Sequence, residues 1–276
     1  MNDDNRDSGT PDGERIAKRL ARAGIASRRV AETMIADGRV SVNGRRISSP
    51  ALNVGPDDRI LVDGKPIAAP EPTRLWRYHK PAGLVTTERD EQGRPTIFEN
   101  LPRRLPRVMS VGRLDLNSEG LLLLTNDGGL KRALELPSNG WERRYRARAF
   151  GNPDPARLQR LADGITVDGE QFGPIHATVE DHGGRGGGSG DDGAGDRRGG
   201  NSRNHWIEVR LNEGRNREVR RALDAAGLTV NRLIRTAYGP FGLEGLHRGA
   251  VVEVPGAMLR RAVRDIYRIR REDERG

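Results

Sequence analysis

Residues 112–128 read Gly-Arg-Leu-Asp-Leu-Asn-Ser-Glu-Gly-Leu-Leu-Leu-Leu-Thr-Asn-Asp-Gly. The four consecutive leucines, bounded by Gly120 and by the turn-forming run 126–128, predict a short strand that is buried on both faces. A polar segment leads into this strand, and loops held by a rigid strand commonly carry catalytic groups. Because alternate residues of an extended segment share a face, Arg113 and Asp115 point the same way. Asp115 is therefore the candidate catalytic carboxylate.

Apolar segments on both sides of this run predict a domain of mixed strands and helices. Strand-like patterns lie at 75–79, 145–150, 175–179 and 206–211, and helical patterns lie at 129–136, 155–162 and 217–226. Strands and helices do not alternate regularly, which argues against a doubly wound parallel sheet. The sequence predicts an α+β fold, with a small N-terminal α/β domain followed by a larger catalytic domain that has a mainly antiparallel mixed sheet flanked by helices.

The small N-terminal unit has its own pattern. Two short helical stretches are separated by residues 23–27, where Gly24 suits the end of one helix and Ser27 the start of the next. The Asn43-Gly44 pair between alternating apolar residues predicts a β-hairpin, and residues 59–63 predict a third strand. Residues 14–68 contain eleven basic and six acidic side chains, a net charge of +5, which suits a polyanionic partner.

The composition narrows the classes of function. The chain has 276 residues and a formal net charge of +9, which points towards nucleic acid. It has no cysteine, and its five histidines lack the spacing of a metal site, so no metal and no thiol nucleophile is expected. No stretch approaches the roughly 20 apolar residues of a membrane span, and the polar N-terminus resembles no export signal. We expect a cytoplasmic monomer without a membrane partner.

Changes in composition predict the domain organisation. We expect a disordered leader at 1–13, the small domain at 14–68, a proline-containing linker at 69–73 and the larger domain at 74–260. A flexible glycine-rich insertion is expected at 183–204 and a basic tail at 261–276. The insertion formally matches a dinucleotide-binding fingerprint, but no strand leads into it and no helix follows, so we do not interpret it as one.

Three further motifs accompany the run 112–128. They are Lys80-Pro81-Ala82-Gly83, Arg143-Arg144-Tyr145 and, at 214–221, Gly-Arg-Asn-Arg-Glu-Val-Arg-Arg. In this order the four motifs resemble those of the bacterial ribosomal RNA pseudouridine synthases of the small-subunit and large-subunit stem-loop type. Residues 20–29 and 38–44 resemble the RNA-binding domain first seen in ribosomal protein S-four. The resemblance covers residues 14 to about 260 and identifies the small domain as an RNA-binding one.

The resemblance implies conversion of uridine to pseudouridine, which breaks the glycosidic bond, turns the base and rejoins it through carbon 5. Asp115 matches the essential aspartate, a nucleophile that attacks either the uracil ring or the ribose carbon. Arg220 matches the basic residue that pairs with it, and Tyr145 the tyrosine that stacks on the uracil and assists proton transfer. Arg113 is expected to fill the space of the extruded nucleotide. No cofactor or metal is implied, and Glu218 stands where the family commonly has Gln.

The resemblance also implies contacts with RNA along both domains. The third motif is more similar to the large-subunit branch, so large-subunit (23S) ribosomal RNA is favoured over small-subunit (16S) RNA as the partner. The candidate RNA-binding residues are Arg22, Ser27, Arg28, Arg29, Arg39, Asn43, Arg215, Arg217 and Arg221.

Two other functions remain open from the sequence. A non-catalytic RNA-binding or ribosome-assembly factor would account for the basic charge through the N-terminal domain alone. A glycosidase could use Asp115 and Glu119 as a pair of carboxylates, although this leaves the RNA-binding unit unexplained.

Overall fold

The computed structural model describes residues 13–180 and 204–273, with side chains up to residue 264. The chain divides into two units, Met1–Thr73 and Arg74–Gly276, here called the N-terminal and C-terminal domains. Almost all of the expected leader (1–13) and glycine-rich insertion (183–204) lies outside the described residues, as does the end of the expected tail. Within the described ranges, no helix combines the length and the apolar character that crossing a bilayer requires.

From residue 13 onwards, the N-terminal domain contains two helices and a small antiparallel sheet. Strands β2, β3, β5 and β6 form this sheet in the order β3-β2-β5-β6, and β1 pairs with β4. The elements are β1 Glu14–Arg15, α1 Ile16–Arg22, α2 Arg28–Ala36, β2 Val40–Val42, β3 Arg45–Arg46, β4 Asn53–Val54, β5 Ile60–Val62 and β6 Lys65–Pro66.

Local signals in the sequence account for these elements. The Ser27 hydroxyl accepts a hydrogen bond from the backbone N–H of Val30 at 3.3 Å and so caps α2, as predicted. Asn43 and Gly44 have φ angles of 50° and 81°, which form the predicted two-residue turn between β2 and β3. The apolar faces of both helices pack on the sheet and give this domain a core of its own.

The C-terminal domain is built on a nine-stranded sheet with the path β13-β14-β10-β15-β9-β7-β17, to which β8 and β16 add at β9 and β15. Neighbouring strands are antiparallel except β9 and β15, which are parallel. This is the predicted α+β fold with a mainly antiparallel mixed sheet. The elements are β7 Leu75–Lys80, β8 Met109–Val111, β9 Ser118–Thr125, α3 Gly128–Glu135, β10 Arg143–Phe150, α4 Pro155–Leu161, β11 Ile165–Val167, β12 Glu170–Phe172, β13 Ile175–Val179, β14 Asn204–Leu211, α5 Glu218–Ala225, β15 Thr229–Tyr238, β16 Phe241–Gly242, β17 Val251–Glu253 and α6 Gly256–Asp273.

Strand β9 lies between two hydrophobic cores. Leu122 and Leu124 belong to the cluster that includes α4 and α5, whereas Leu121 and Leu123 belong to the cluster that includes α3 and α6. Alternate side chains of a strand point to opposite faces, so a strand covered on both faces needs apolar residues at every position. The run of four leucines is therefore a consequence of the position of β9 in the layered domain.

Several short strands were not predicted, and β15 and α6 are the two longest elements that differ from the prediction. Strand β15 was not predicted, because polar residues such as Arg232 and Arg235 interrupt its apolar pattern, yet it lies near the middle of the sheet. Helix α6 runs across residue 260, where the sequence predicted the end of the domain. Ala262 is only 3% exposed and belongs to the core, so the domain continues into the expected tail.

The parallel contact between β9 and β15 predicts a strict requirement for glycine at position 120. Gly120 has a φ of 103°, and a Cβ there would lie 2.3 Å from the carbonyl oxygen of Arg235. We expect Gly120→Ala to lower the free energy of unfolding by roughly 3 kcal/mol, from combined overpacking and backbone strain. Denaturant titration measures this change.

Gly245→Ala is the matched control. Gly245 also has a positive φ, 71°, but a Cβ there meets nothing within 4 Å. We expect Gly245→Ala to lower the free energy of unfolding by about 1 kcal/mol. Equal losses in the two variants would show that the approach of β15 to Gly120 is not what constrains this position.

Candidate active site

A cleft of about 250 Å³ in the C-terminal domain brings several of the predicted residues together. The segment after β8 provides Arg113 and Asp115, and β10 provides Tyr145. The remaining walls come from the start of α5 and from β15. The residues that line these walls include Arg217, Glu218, Val219, Leu233, Arg235 and Tyr238, and Arg143 of β10 also lines the cleft. The prediction that Arg113 and Asp115 face the same site agrees with this arrangement.

Asp115 lies in a tight turn immediately before β9. The backbone N–H of Ser118 donates to the carbonyl of Asp115 at 3.0 Å and closes the turn. On the preceding residue, the carbonyl of Leu114 accepts from the Thr86 hydroxyl at 2.8 Å. The Asp115 side chain is 35% exposed, so its carboxylate is accessible while its backbone is held on both sides.

The buried side chain of Lys80 stabilises this turn from the interior of the domain. It is 0% exposed, and its ammonium donates to the carbonyls of Ser118, Asp115, Pro81 and Leu116 at 2.8 to 3.4 Å. Burial lowers the pKa of Lys80 to about 8, although the nearby acidic side chains act in the opposite direction. Lys80 belongs to one of the four sequence motifs, but the motif alone predicts no role for it. It fixes the main chain that carries Asp115.

The cation paired with Asp115 is not the predicted one. Arg217 Nη1 lies 3.8 Å from Oδ2 of Asp115. Arg220 instead donates to the carbonyl of Val230 at 2.9 Å and to that of Asn117 at 3.2 Å. Burial lowers the pKa of Arg220, the charge of Arg217 adds to this effect, and the charge of Asp115 opposes it. The Arg220 guanidinium thus supports the turn by binding the main-chain carbonyl of Asn117. The expectation that Arg220 pairs with the Asp115 carboxylate is wrong for this structure.

Glu218 shapes the loop that presents Arg217. Its Oε2 accepts from the backbone N–H of Arg215 at 2.8 Å, and Arg217 adopts a left-handed φ of 50° just before α5 begins. Glu218 is 3% exposed, and its other oxygen, Oε1, has no hydrogen-bond partner. Burial raises the pKa of this carboxyl; the charge of Glu213 acts in the same direction, and those of Arg215 and Arg143 act against it.

Tyr145 and two buried arginines form the floor of the cleft. Tyr145 is buried on β10, opposite Val209 and Arg235 of the neighbouring strands. The guanidinium groups of Arg143 and Arg235 both lie over the Tyr238 ring, at 4.8 and 5.2 Å. Sequence reasoning missed Arg235 together with β15. The β-branched and aromatic residues of 229–238 are the sequence signal for this strand, and the polar residues among them hid it.

Two of the predicted RNA-binding arginines in this domain are bound to the β11–β12 hairpin. Arg215 pairs with Glu213 at 2.6 Å and with Glu170 at 3.4 Å. Arg221 pairs with Glu170 and packs on the Phe172 ring at 4.7 Å. Arg215 still borders the cleft, whereas Arg221 does not line it. Both arginines therefore have a structural function, and their contact with RNA stays a prediction.

In the N-terminal domain most of the predicted RNA-binding residues also have internal partners. Arg22 pairs with Glu14 at 3.3 Å, and Arg39 pairs with Asp63 at 2.6 Å. Ser27 caps α2, and Asn43 bonds to Asp58 at 2.7 Å. Of the candidates in this domain, the exposed Arg28 and Arg29 make no ion pair within the described part of the chain. These two arginines are thus the cations most readily available to a partner.

The carboxylate pair of a glycosidase is not formed. Glu119 is buried in β9, where it pairs with Arg232 at 2.8 Å and Arg248 at 3.0 Å, and it does not line the cleft. Among the side chains described in residues 13–180 and 204–264, no group of three or more potential metal-binding residues is present.

Comparison with known proteins assigns the two domains. Residues 74–225 match the family model of the RNA pseudouridylate synthases, and residues 14–60 match that of the S4 domain. An S4 domain followed by this mixed sheet and its aspartate-containing cleft defines a class of RNA-modifying enzymes. The chain belongs to the RNA pseudouridylate synthase family.

Relatives along nearly the whole chain agree with this assignment. An uncharacterised RNA pseudouridine synthase of Rickettsia bellii is 46% identical over 87% of this chain and 96% of its own length. The ribosomal large subunit pseudouridine synthase B of Escherichia coli O157:H7 is 41% identical over 87% of this chain and 79% of its own length. A solved pseudouridylate synthase has the same fold, with a TM-score of 0.58 and 24% identity over 91% of this chain and 100% of that protein.

The buried carboxyl of Glu218 predicts a pH-dependent stability. Because its pKa is raised above the usual 4.5 by burial, the folded state binds this proton more tightly than the unfolded chain does. Its contribution to stability is present at acidic pH and is lost as the pH rises through the folded pKa. We expect Glu218→Gln to raise the melting temperature by a few degrees at neutral pH and to flatten this dependence.

Thermal melts across mildly acidic to mildly alkaline buffers measure the effect. Glu244→Gln, which changes an exposed carboxylate of the same domain, is the control and should melt like the wild type. Parallel pH curves for all three proteins would contradict the prediction.

Proposed function

We propose that the protein converts uridine to pseudouridine in large-subunit (23S) ribosomal RNA, with Asp115 as the nucleophile. The observation that carries the proposal is the position of Asp115 in the cleft, where Lys80 holds its main chain and Arg217 lies 3.8 Å from its carboxylate. Relatives named ribosomal large subunit pseudouridine synthase B support the choice of large-subunit over small-subunit (16S) RNA. This substrate implies a cytoplasmic enzyme, and we expect it to act as a monomer.

The reaction is an isomerisation and needs no external reagent. The bond between ribose carbon 1′ and uracil N1 breaks, the base turns, and carbon 1′ bonds to carbon 5. Carbon 5 loses its proton and N1 gains one, so atoms and electrons balance without a cofactor or metal. Asp115 is suited to attack either the uracil ring or the ribose carbon, because its carboxylate is accessible and its turn is rigid.

The other cleft residues are assigned to the handling of a flipped-out base. Tyr145 lies at the floor of the cleft, where its ring would stack on the uracil and its hydroxyl would assist removal of the carbon 5 proton. Arg113 is exposed at the rim, which suits the expected role of filling the space left in the RNA. Arg217 orients the Asp115 carboxylate, and Arg220 supports the turn that carries Asp115.

The N-terminal domain is proposed to bind RNA phosphates. Arg28 and Arg29 at the start of α2 are exposed cations, and residues 14–68 as a whole carry a net charge of +5. A non-catalytic RNA-binding factor would need only this domain. The accessible Asp115 in a cleft of the C-terminal domain favours the enzyme instead.

A direct assay tests the proposal. The protein is incubated with large-subunit and small-subunit RNA transcripts, and carbodiimide-dependent stops of reverse transcription are mapped on both. We expect a new stop at a defined uridine of the large-subunit transcript. If neither transcript gains a stop, the enzymatic function is wrong, and a stop in the small-subunit transcript alone would contradict the choice of substrate.

The role of Asp115 predicts that chemistry and binding separate in one variant. Asp115→Asn should reduce turnover by at least about 10³-fold, because the amide is no nucleophile, while RNA affinity stays nearly unchanged. Binding depends on many phosphate contacts rather than on one carboxylate. Tyr145→Phe should have a milder effect, since the ring that stacks on the base remains.

Asp163→Asn provides the matched control, because Asp163 is an exposed aspartate of the same domain that does not line the cleft. Single-turnover formation of pseudouridine and equilibrium RNA binding are measured for each variant. Substantial activity in Asp115→Asn would remove Asp115 from the role of nucleophile.

The proposed role of the N-terminal domain predicts the effect of removing residues 1–70. RNA affinity should fall and its dependence on salt should flatten, because fewer counterions are released on binding. The C-terminal domain should still melt cooperatively, since its two hydrophobic clusters contain no residue of the N-terminal domain. An unchanged salt dependence with a lowered melting temperature would instead identify the N-terminal domain as a purely stabilising one.

A further inference from the structure

A second cavity, of about 500 Å³, opens beside the catalytic cleft. The two cavities share Arg113, Leu114, Asp115 and Arg217, so Asp115 stands at their junction. The far wall of the second cavity is the loop 85–94 between β7 and β8, here called the groove loop. None of the functions assigned above uses this wall.

The groove loop is held in one shape by its own hydrogen bonds. Its ends are joined by the bond from the N–H of Val85 to the carbonyl of Pro95, at 3.0 Å. Inside the loop, the Asp90 carboxylate accepts from the backbone N–H groups of Gln92 and Arg94 and pairs with the Arg94 side chain at 2.7 Å. These bonds lower the pKa of Asp90 to about 2. The loop is therefore a preformed wall.

The charges that line this second cavity are only partly balanced within the protein. Four arginines line it, and two of them are paired, Arg94 with Asp90 and Arg217 with Asp115. Arg89 and Arg113 make no ion pair within the described residues. Glu91 is the one unpaired acid in the lining, so two free cations face one free carboxylate. The balance favours an anionic ligand.

From this arrangement we infer that the second cavity binds the nucleotide next to the target uridine in the same RNA strand. This inference rests on the proposed function. When the target base occupies the cleft at Asp115, the strand must continue from that junction, and the neighbouring cavity is continuous with it. Arg89 is placed to bind a phosphate, and the polar side chains of Thr87 and Gln92 are placed to contact the sugar or the base edge. The groove loop is thus a determinant of which uridine is chosen.

A pair of arginine variants tests the phosphate contact. Arg89→Ala should weaken binding of a large-subunit stem-loop RNA about tenfold and reduce the slope of log affinity against log salt by about one. Arg104→Ala is the control, because Arg104 is also an exposed loop arginine but lines neither cavity. Identical affinities and slopes in the two variants would overturn the inference.

A second measurement tests recognition of the neighbouring nucleotide. Stem-loop RNAs are prepared with the base removed on the 5′ side or the 3′ side of the target uridine, and binding is measured for the wild type and for Gln92→Ala. We expect removal of the base on one side to weaken wild-type binding several-fold. For Gln92→Ala, which already lacks the contact, the same removal should cause little further loss of affinity. Fully additive losses on both sides would contradict a base contact of Gln92 in this cavity.

The binding measurements separate this inference from the proposed function. A wild-type protein that forms no pseudouridine but shows the Arg89 effect would overturn the proposed function and support the cavity as an RNA site. A protein that forms pseudouridine while Arg89→Ala binds like Arg104→Ala would overturn the inference alone.

Discussion

Lys80 places a buried ammonium group against four backbone carbonyls, and the geometry of the catalytic cleft depends on this interaction. A turn that leads into a core strand leaves carbonyls that point into the protein, and each would be costly to bury without a donor. One ammonium supplies three N–H groups to this cluster. The lysine is itself tolerated in the core because the carbonyls surround its charge. Strand β7 and the turn before β9 thus stabilise each other, and Asp115 belongs to that turn.

The parallel pairing of β9 and β15 brings the rest of the cleft to Asp115. Parallel strands start at the same edge of a sheet, so the segments that precede them meet there. Before β9 lies the turn of Asp115, and before β15 lies α5, whose first turn carries Glu218 and Arg220. The bond from Arg220 to the carbonyl of Asn117 joins the two segments. The close approach at Gly120 is therefore part of how residues far apart in the sequence form one site.

The sequence predicted those parts of the fold that local chemistry dictates. The leucines of β9, the Ser27 cap and the Asn43-Gly44 turn are each specified by a few adjacent residues, and all three are found where they were expected. Strand β15 was missed because its stability comes from neighbours on both sides rather than from its own apolar pattern. For the same reason the sequence could not distinguish Arg217 from Arg220 as the partner of Asp115. Both lie in one motif, and only the left-handed backbone at Arg217 and the carbonyls near Arg220 decide where each guanidinium points.

The ion pairs between Glu170 and the arginines of the third motif limit how many basic groups of this protein are available to RNA. An arginine that already holds a carboxylate can bind a phosphate only by exchanging one anion for another. In such an exchange the phosphate releases a bound cation, but the freed carboxylate attracts another one. The net release of cations into solution is therefore small. Arg215 and Arg221 share Glu170 in this way, and Arg39 holds Asp63. The net charge of +9 therefore indicates how strongly this protein attracts RNA at long range. It does not indicate how many contacts the protein makes with RNA once bound.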